Sequence, residues 1–249
     1  MTPDRHLDWE GCCNARDLGG LPTSDGRTTR WGAVVRSEQL DELTTAGWSA
    51  LEAHGIRTIV DLRNHDERQP LDERRPAEIA TVHVPLDDRA DTGFWDRWGH
   101  LDGTPLFFRP FLDAKPERCA AALEAVANAG SGGVLVHCAG GRDRAGLISL
   151  LLLALVRVVP DAIVEDYEAS TERLRSLYEQ LGFGDVAGRV AARMARHGTT
   201  VRRAVLDTLA SLDLEATLRA AGLGDGELAA LRARLLEPAS ASPASTPSG

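Results

Sequence analysis

Residues 134–155 read VLVHCAGGRDRAGLISLLLLAL. The short apolar run from Gly133 to His137 has the length and β-branched content of a buried strand. The run from Ala145 to Val156 is longer than most strands and reads as a helix buried on most sides. Between them lies a turn, Cys138-Ala139-Gly140-Gly141-Arg142-Asp143-Arg144. In an open parallel sheet such a turn sits outside the carboxyl ends of the strands, where ligands bind. Gly140 and Gly141 allow successive backbone N–H groups to converge on an anion. The helix behind them adds unpaired N–H groups and the positive end of its dipole. Arg144 can fork onto two oxygens of a tetrahedral anion. Cys138, at the opposite rim, would have its thiolate stabilised by the same groups. A soft nucleophile under a pocket shaped for an oxyanion suits attack on phosphorus through a thiophosphate intermediate.

Outward from that turn the chain alternates. Thr29 to Arg36 and Ile56 to Asp61 read as strands, as does Thr81 to Leu86. Thr44 to His54 reads as a helix, with Thr44 as N-cap and Gly55 just past the end. Pro116 to Ala129 is a second helix, with its proline in the first turn. Residues 87–112 form a long connection rich in Trp, Phe, Asp, Arg and Gly, of the kind that covers active sites. Its aromatic residues, including Trp95, Trp98, Phe107 and Phe108, are read as lid packing. From Asp161 to Leu181, and in shorter segments through Leu236, the pattern is helical. Strands separated by helices imply an α/β fold: a central, mostly parallel sheet flanked by helices. The expected organisation is one domain over 1–237, with a helical C-terminal extension from about 161. The stretch EPASASPASTPSG closes the chain, and a disordered tail is expected over 238–249.

Composition narrows the chemistry. The chain has 249 residues, with 28 basic and 37 acidic side chains, a formal charge of −9. An acidic chain is poorly suited to non-specific nucleic-acid binding, so no nucleic-acid partner is expected. Lys115 is the sole lysine, which largely excludes Schiff-base and lysine-base mechanisms. The charged N-terminus lacks the apolar stretch of a secretory signal. The longest apolar run, roughly a dozen residues, is too short for a transmembrane segment. Four cysteines in a chain of this length suggest reduced thiols and a cytoplasmic location. No Cys-x2-Cys pair exists, and neither a metal site nor another cofactor is expected. Adjacent Cys12 and Cys13 remain candidates for a protective disulfide with oxidised Cys138.

The stretch HCAGGRDRAG resembles the signature loop of cysteine-based phosphatases. It looks most like that of the bacterial tyrosine/serine (and phosphoinositide-active) phosphatases, whose loop reads HC-x-A-G-K-D-R-T-G. The likeness extends to Asn14-Ala-Arg-Asp-Leu-Gly-Gly20, Arg30-Trp-Gly, Arg36-Ser37, Gly55 to Arg63 and Ile163 to Ser170, in that order. The resemblance implies Cys138 as nucleophile and Arg144 as the grip on the transferring phosphoryl group. It implies a phosphate pocket made by Ala139, Gly140, Gly141, Arg142, Ala145 and Gly146. Asn14 and Arg16 are expected beside the substrate, or else in an ordinary polar turn with Asp17. Asp143 is the leading candidate for general acid, with Asp61, Asp87 and Asp88 as alternatives. His137 is read as an orienting residue and Arg63 as a partner of a loop acid. Two departures stand out: Arg142 replaces the family's lysine, and Ala145 its hydroxyl residue. The expected activity is metal-independent hydrolysis of phosphomonoesters, by default of a phosphotyrosine protein, with Ser/Thr or phosphoinositide phosphates as alternatives. The competing expectations are a phosphate-binding pseudophosphatase module, which Ala145 favours, and arsenate reduction relayed through Cys12 or Cys13. Oligomeric state is not legible.

Overall fold

The computed structural model describes residues 4–70 and 73–237. Five strands form one sheet in the order β1-β2-β5-β3-β4: β1 Arg16–Asp17, β2 Val34–Ser37, β3 Ile56–Asp61, β4 Ala80–His83 and β5 Gly133–His137. Only β1 runs antiparallel; β2, β3, β4 and β5 are mutually parallel, with β5 at the centre. Alternation along the strands divides the sheet into two faces. Val34, Val60, Val134 and Val136 enter the larger apolar core. Val35, Ile59 and Leu135 point the other way, into a smaller core with Trp9, Trp48 and Leu51. The fold is therefore α/β, with a mostly parallel sheet covered on both faces. Helix α1 (Thr45–Ala53) covers the smaller face and is capped by Thr44, whose side chain accepts from the Gly47 N–H.

Several element boundaries differ from the sequence reading. The strand expected from Thr29 begins only at Val34, because Gly32 takes a left-handed φ of 70° and turns the chain into the sheet. The strand expected over Thr81–Leu86 ends at His83. The 87–112 connection is not a plain loop. It folds into α2 (Thr92–Trp98), two 3-10 turns (Gly99–Leu101 and Pro105–Phe107) and α3 (Phe108–Ala114). Asp91 caps α2, and Phe94, Trp95, Phe107 and Phe111 pack as neighbouring rings, with Trp95 stacked on Phe107 at 5.5 Å. Those rings supply a local core for a segment that looked structureless by pattern.

Helix α4 (Pro116–Ala127) packs beneath the sheet, and α5 (Arg144–Leu155) runs back from the end of β5. Every residue of α5 from Ala145 to Leu153 is buried, which accounts for its uniformly apolar sequence. The helix expected from Asp161 to Leu181 divides at the fully buried Leu174 into α6 (Pro160–Arg173) and α7 (Arg175–Gln180). Then come α8 (Val186–Arg196), α9 (Val201–Ser211), α10 (Leu214–Ala220) and α11 (Asp225–Leu235). Ile163, Tyr167, Val205, Leu218, Leu228 and Leu231 from this helical region join the larger core. The tail expected over 238–249 lies outside the described residues. No helix among the described residues is long and apolar enough to cross a membrane.

Candidate active site

Strand β5 is buried along its whole length, so its last residues are held with little freedom. Asp61 and His137 are register partners on adjacent parallel strands and point to the same face. Cys138 follows His137 and turns to the opposite side, where it is 3% exposed within the larger core. Leu62 donates its N–H to the His137 carbonyl at 2.9 Å, and this extends the β3–β5 ladder to the edge of the turn. Burial pushes the His137 imidazole down to about 4, so it is neutral at pH 7. Its Nδ1 lies 3.3 Å from the Cys138 carbonyl, and a neutral ring donates there.

The turn itself is fixed by its carbonyls. Ala139 O accepts from the Gln39 N–H at 2.9 Å, and Gly140 O from Asn14 Nδ2 at 3.0 Å. Arg36 Nη2 donates to Gly141 O at 2.7 Å and to Arg142 O at 3.2 Å. Leu147 N–H donates to Asp143 O at 2.8 Å, which opens α5. Every carbonyl from Cys138 to Asp143 is thus drawn outward. Among the described residues, no protein acceptor takes the N–H of any residue from 139 to 143. Gly141 makes the close approach possible: its φ is 66°, and a Cβ there would stand 2.4 Å from the Ser37 carbonyl oxygen. The result is a ring of inward-facing amides ending at a helix N-terminus.

Beneath the turn lies a buried ionic frame. Asp166, on α6, receives Arg5 Nη2 at 2.6 Å, Arg16 Nε at 3.0 Å and Arg36 Nη1 at 2.7 Å. Burial alone would raise the Asp166 carboxyl, but Arg16, Arg36 and Arg5 hold it well below the usual carboxylate range. Arg16 also donates to Asn14 Oδ1 at 2.7 Å and to Ser170 Oγ at 2.9 Å. Asn14 and Arg16, expected at the substrate, are both fully buried. Asn14 holds the turn's backbone and Arg16 holds Asn14. Glu38 receives the backbone N–H of Cys13 and Asn14, and the Cys12 thiol donates to it at 3.0 Å. Burial and the Glu38 charge push the Cys12 thiol up, and the same causes take Cys13 to about 12. Both thiols are therefore protonated at pH 7 and weak nucleophiles.

The rim carries the remaining charges. Arg144 extends both Nη atoms to the Glu67 carboxylate, at 2.6 and 2.7 Å, and its Nη1 is 3.3 Å from Asp87. This end-on fork uses both terminal nitrogens of the guanidinium, and Nε takes no part in it. Burial would raise Glu67, but its hydrogen bonds from Arg144 bring it to about 2. Arg142 grips Asp143 through Nε and Nη2, each at 3.2 Å, and donates from Nη2 to Gly103 O at 3.0 Å. Gly103 belongs to the folded connection above the turn, so Arg142 straps that segment down. Asp87, Asp102, Asp143 and Arg144 line one cleft of about 150 Å³. Asp61 lies elsewhere. It faces a second cleft with His137, Arg63 and Arg68, and Arg63 Nη2 holds it at 3.0 Å. Asp88 pairs with Lys115 at 3.3 Å and Arg118 at 3.4 Å, away from Arg144.

Several residues at the site carried no role in the sequence reading: Glu67, Asp102, Asp166 and Glu38. Glu67 had a signal, because Asn64-x-x-Glu67 just past a strand is a capping-box pattern, and Glu67 does reach back to the Asn64 N–H at 2.8 Å. Asp102 stands in an Asp-Gly turn with no local mark of function. Asp166 sits in an ordinary amphipathic helix pattern, and only the fold brings its arginines to it.

The tyrosine phosphatase family model matches residues 7–237. A chain from Cupriavidus necator, named as a candidate tyrosine-protein phosphatase, is 29% identical over 231 residues, covering 90% of this chain and 82% of that one. The triple specificity protein phosphatase PtpB of Mycobacterium tuberculosis is 28% identical over 196 residues, covering 67% of this chain and 70% of its own length. A tyrosine-protein phosphatase of Nostoc commune is 30% identical over 152 residues, covering 57% of this chain and 49% of its own length. With a family match spanning nearly the whole described chain, the protein belongs to the tyrosine phosphatase family and is a phosphatase.

Proposed function

We propose that this phosphatase hydrolyses phosphomonoesters through a phosphocysteine on Cys138, and that phosphotyrosine proteins are its preferred substrates. The observation that carries the reading is the turn from Cys138 to Asp143, whose carbonyls are all drawn outward and whose amides are left for an anion. The Cys138 thiolate attacks phosphorus as the bond to the leaving oxygen breaks. Amides 139–143 and the Arg144 guanidinium hold the equatorial oxygens as charge builds on them. Water then attacks phosphorus, and the S–P electron pair returns to Cys138. Ala145 is buried at the start of α5 and offers no hydroxyl to the departing thiolate, which makes the second step the slower one. The names of the relatives support a tyrosine substrate, and PtpB's printed specificity supports a wider range.

The test is hydrolysis of an aryl phosphate in EDTA by wild type, Cys138→Ser and Ala145→Thr. Wild type is expected to show a burst of phenolate followed by slower turnover. Cys138→Ser should lose at least about 10³-fold in rate, the scale of removing a catalytic nucleophile. Ala145→Thr should shorten the gap between burst and steady state. Full turnover by Cys138→Ser sinks the phosphocysteine. Binding of phosphate analogues without turnover by any version favours the pseudophosphatase reading.

A further inference from the structure

Resting on the phosphocysteine reading, we propose that Asp102, in the folded connection above the signature turn, is the general acid and base of the reaction. Three carboxyls share the cleft with Arg144, and their surroundings differ. Asp143 accepts two hydrogen bonds from Arg142, at 3.2 Å each, and one from the Tyr167 hydroxyl at 3.4 Å. Three donors thus already occupy that carboxyl and hold it against Arg142 and Tyr167. Asp87, which burial also raises, lies 3.3 Å from Arg144 Nη1, whose charge works against that rise, and accepts from Asn64 Nδ2 at the same distance. Among the described residues, the Asp102 carboxyl accepts only the Gly103 N–H, at 2.8 Å, and makes no ion pair. Partial desolvation raises it, and the charges of Asp143 and Asp87 raise it further. Asp102 is exposed and lines the same cleft as Arg144.

Its backbone is positioned from both sides. The signature turn's Arg142 donates to Gly103 O at 3.0 Å, and Arg193 of α8 donates to Asp102 O at 2.5 Å. In the first step, the P–O bond breaks, its electron pair stays on the leaving oxygen, and that oxygen takes the Asp102 proton. In the second, the Asp102 carboxylate takes a proton from the attacking water while the S–P pair returns to Cys138. The products are an alcohol or phenol and inorganic phosphate, with Asp102 protonated again. Arg142 becomes the device that sets the acid's height above phosphorus.

The experiment compares wild type, Asp102→Asn, Asp102→Glu, Asp87→Asn and Asp143→Asn on phenyl phosphate and 4-nitrophenyl phosphate, with rapid-quench detection of phosphoenzyme. Phenolate is the poorer leaving group and needs the proton; 4-nitrophenolate needs it far less. Asp102→Asn is expected to lose about 10²-fold or more in phosphoenzyme formation from phenyl phosphate, but under about 10-fold from the nitrophenyl ester. Its pH profile should lose the alkaline fall in kcat/KM, and Asp102→Glu should recover part of the phenyl phosphate rate. Equal losses on the two esters, or a leaving-group-dependent loss in Asp87→Asn or Asp143→Asn instead, overturn the assignment while phosphoenzyme still forms. Wild-type turnover without any phosphoenzyme overturns the assignment and the phosphocysteine reading together.

Discussion

The floor and the rim of the signature turn are built from the same residue types and treat them in opposite ways. Below the turn, Asp166 is 1% exposed and meets three arginines within 3.0 Å. Above it, the Asp102 carboxyl is exposed and, among the described residues, pairs with none. A desolvated carboxylate among cations cannot release its charge, so it makes a rigid support. A carboxyl near other carboxylates and outside any ion pair holds its proton more readily than a paired one and can exchange it. The same contrast separates the arginines. Arg16 and Arg36 serve the backbone and Asp166, whereas Arg144 pairs with Glu67 at the rim.

The sharpest way to break this comparison is Asp166→Asn. Two buried guanidinium groups then lose the one carboxylate they pair with among the described residues, and destabilisation of about 3–5 kcal/mol is expected in chemical denaturation. A loss under about 1 kcal/mol would mean that the floor does not depend on this charge. The next effect is smaller and depends on pH. The folded His137 titrates at about 4, below the ordinary 6.5, so the unfolded chain binds the proton first. Its contribution is full above pH 6.5 and is lost as pH falls toward 4, about 2 kcal/mol between pH 7 and 5. Glu67, drawn down to about 2, extends the acid loss over the range 4.5 to 2. Thermal unfolding against pH checks this, and His137→Gln should flatten only the upper portion. The smallest effect tests the rim. Glu67→Gln removes the carboxylate that orients Arg144 and should lower kcat/KM about tenfold, near 1.4 kcal/mol. A rise in kcat/KM would show instead that Glu67 competes with substrate for the arginine.

Much of the fold was legible from pattern. The central strand, the apolar helix after it, the parallel sheet and the Thr44 cap all follow from local sequence and reappear in the structure. The 87–112 segment was not legible, because its helices are short and held by ring-on-ring contacts that no periodicity announces. At the site, the strand-turn-helix placement of Cys138 and Arg144 was readable. The partners of Asn14 and Arg16 were not, since Asp166 lies about 150 residues away along the chain.

The sequence by itself determined the order of strands and helices, the two glycines of the turn and the chemical types around it, because these depend on neighbours within a few residues. The tertiary structure decided which charges are paired and which are left poised. Asp61, Asp87, Asp102, Asp143 and Asp166 are the same side chain. Burial and the arginines that other segments bring within about 3 Å make one a fixed anion and leave another able to carry a proton, because desolvation and Coulomb energies depend on position in space.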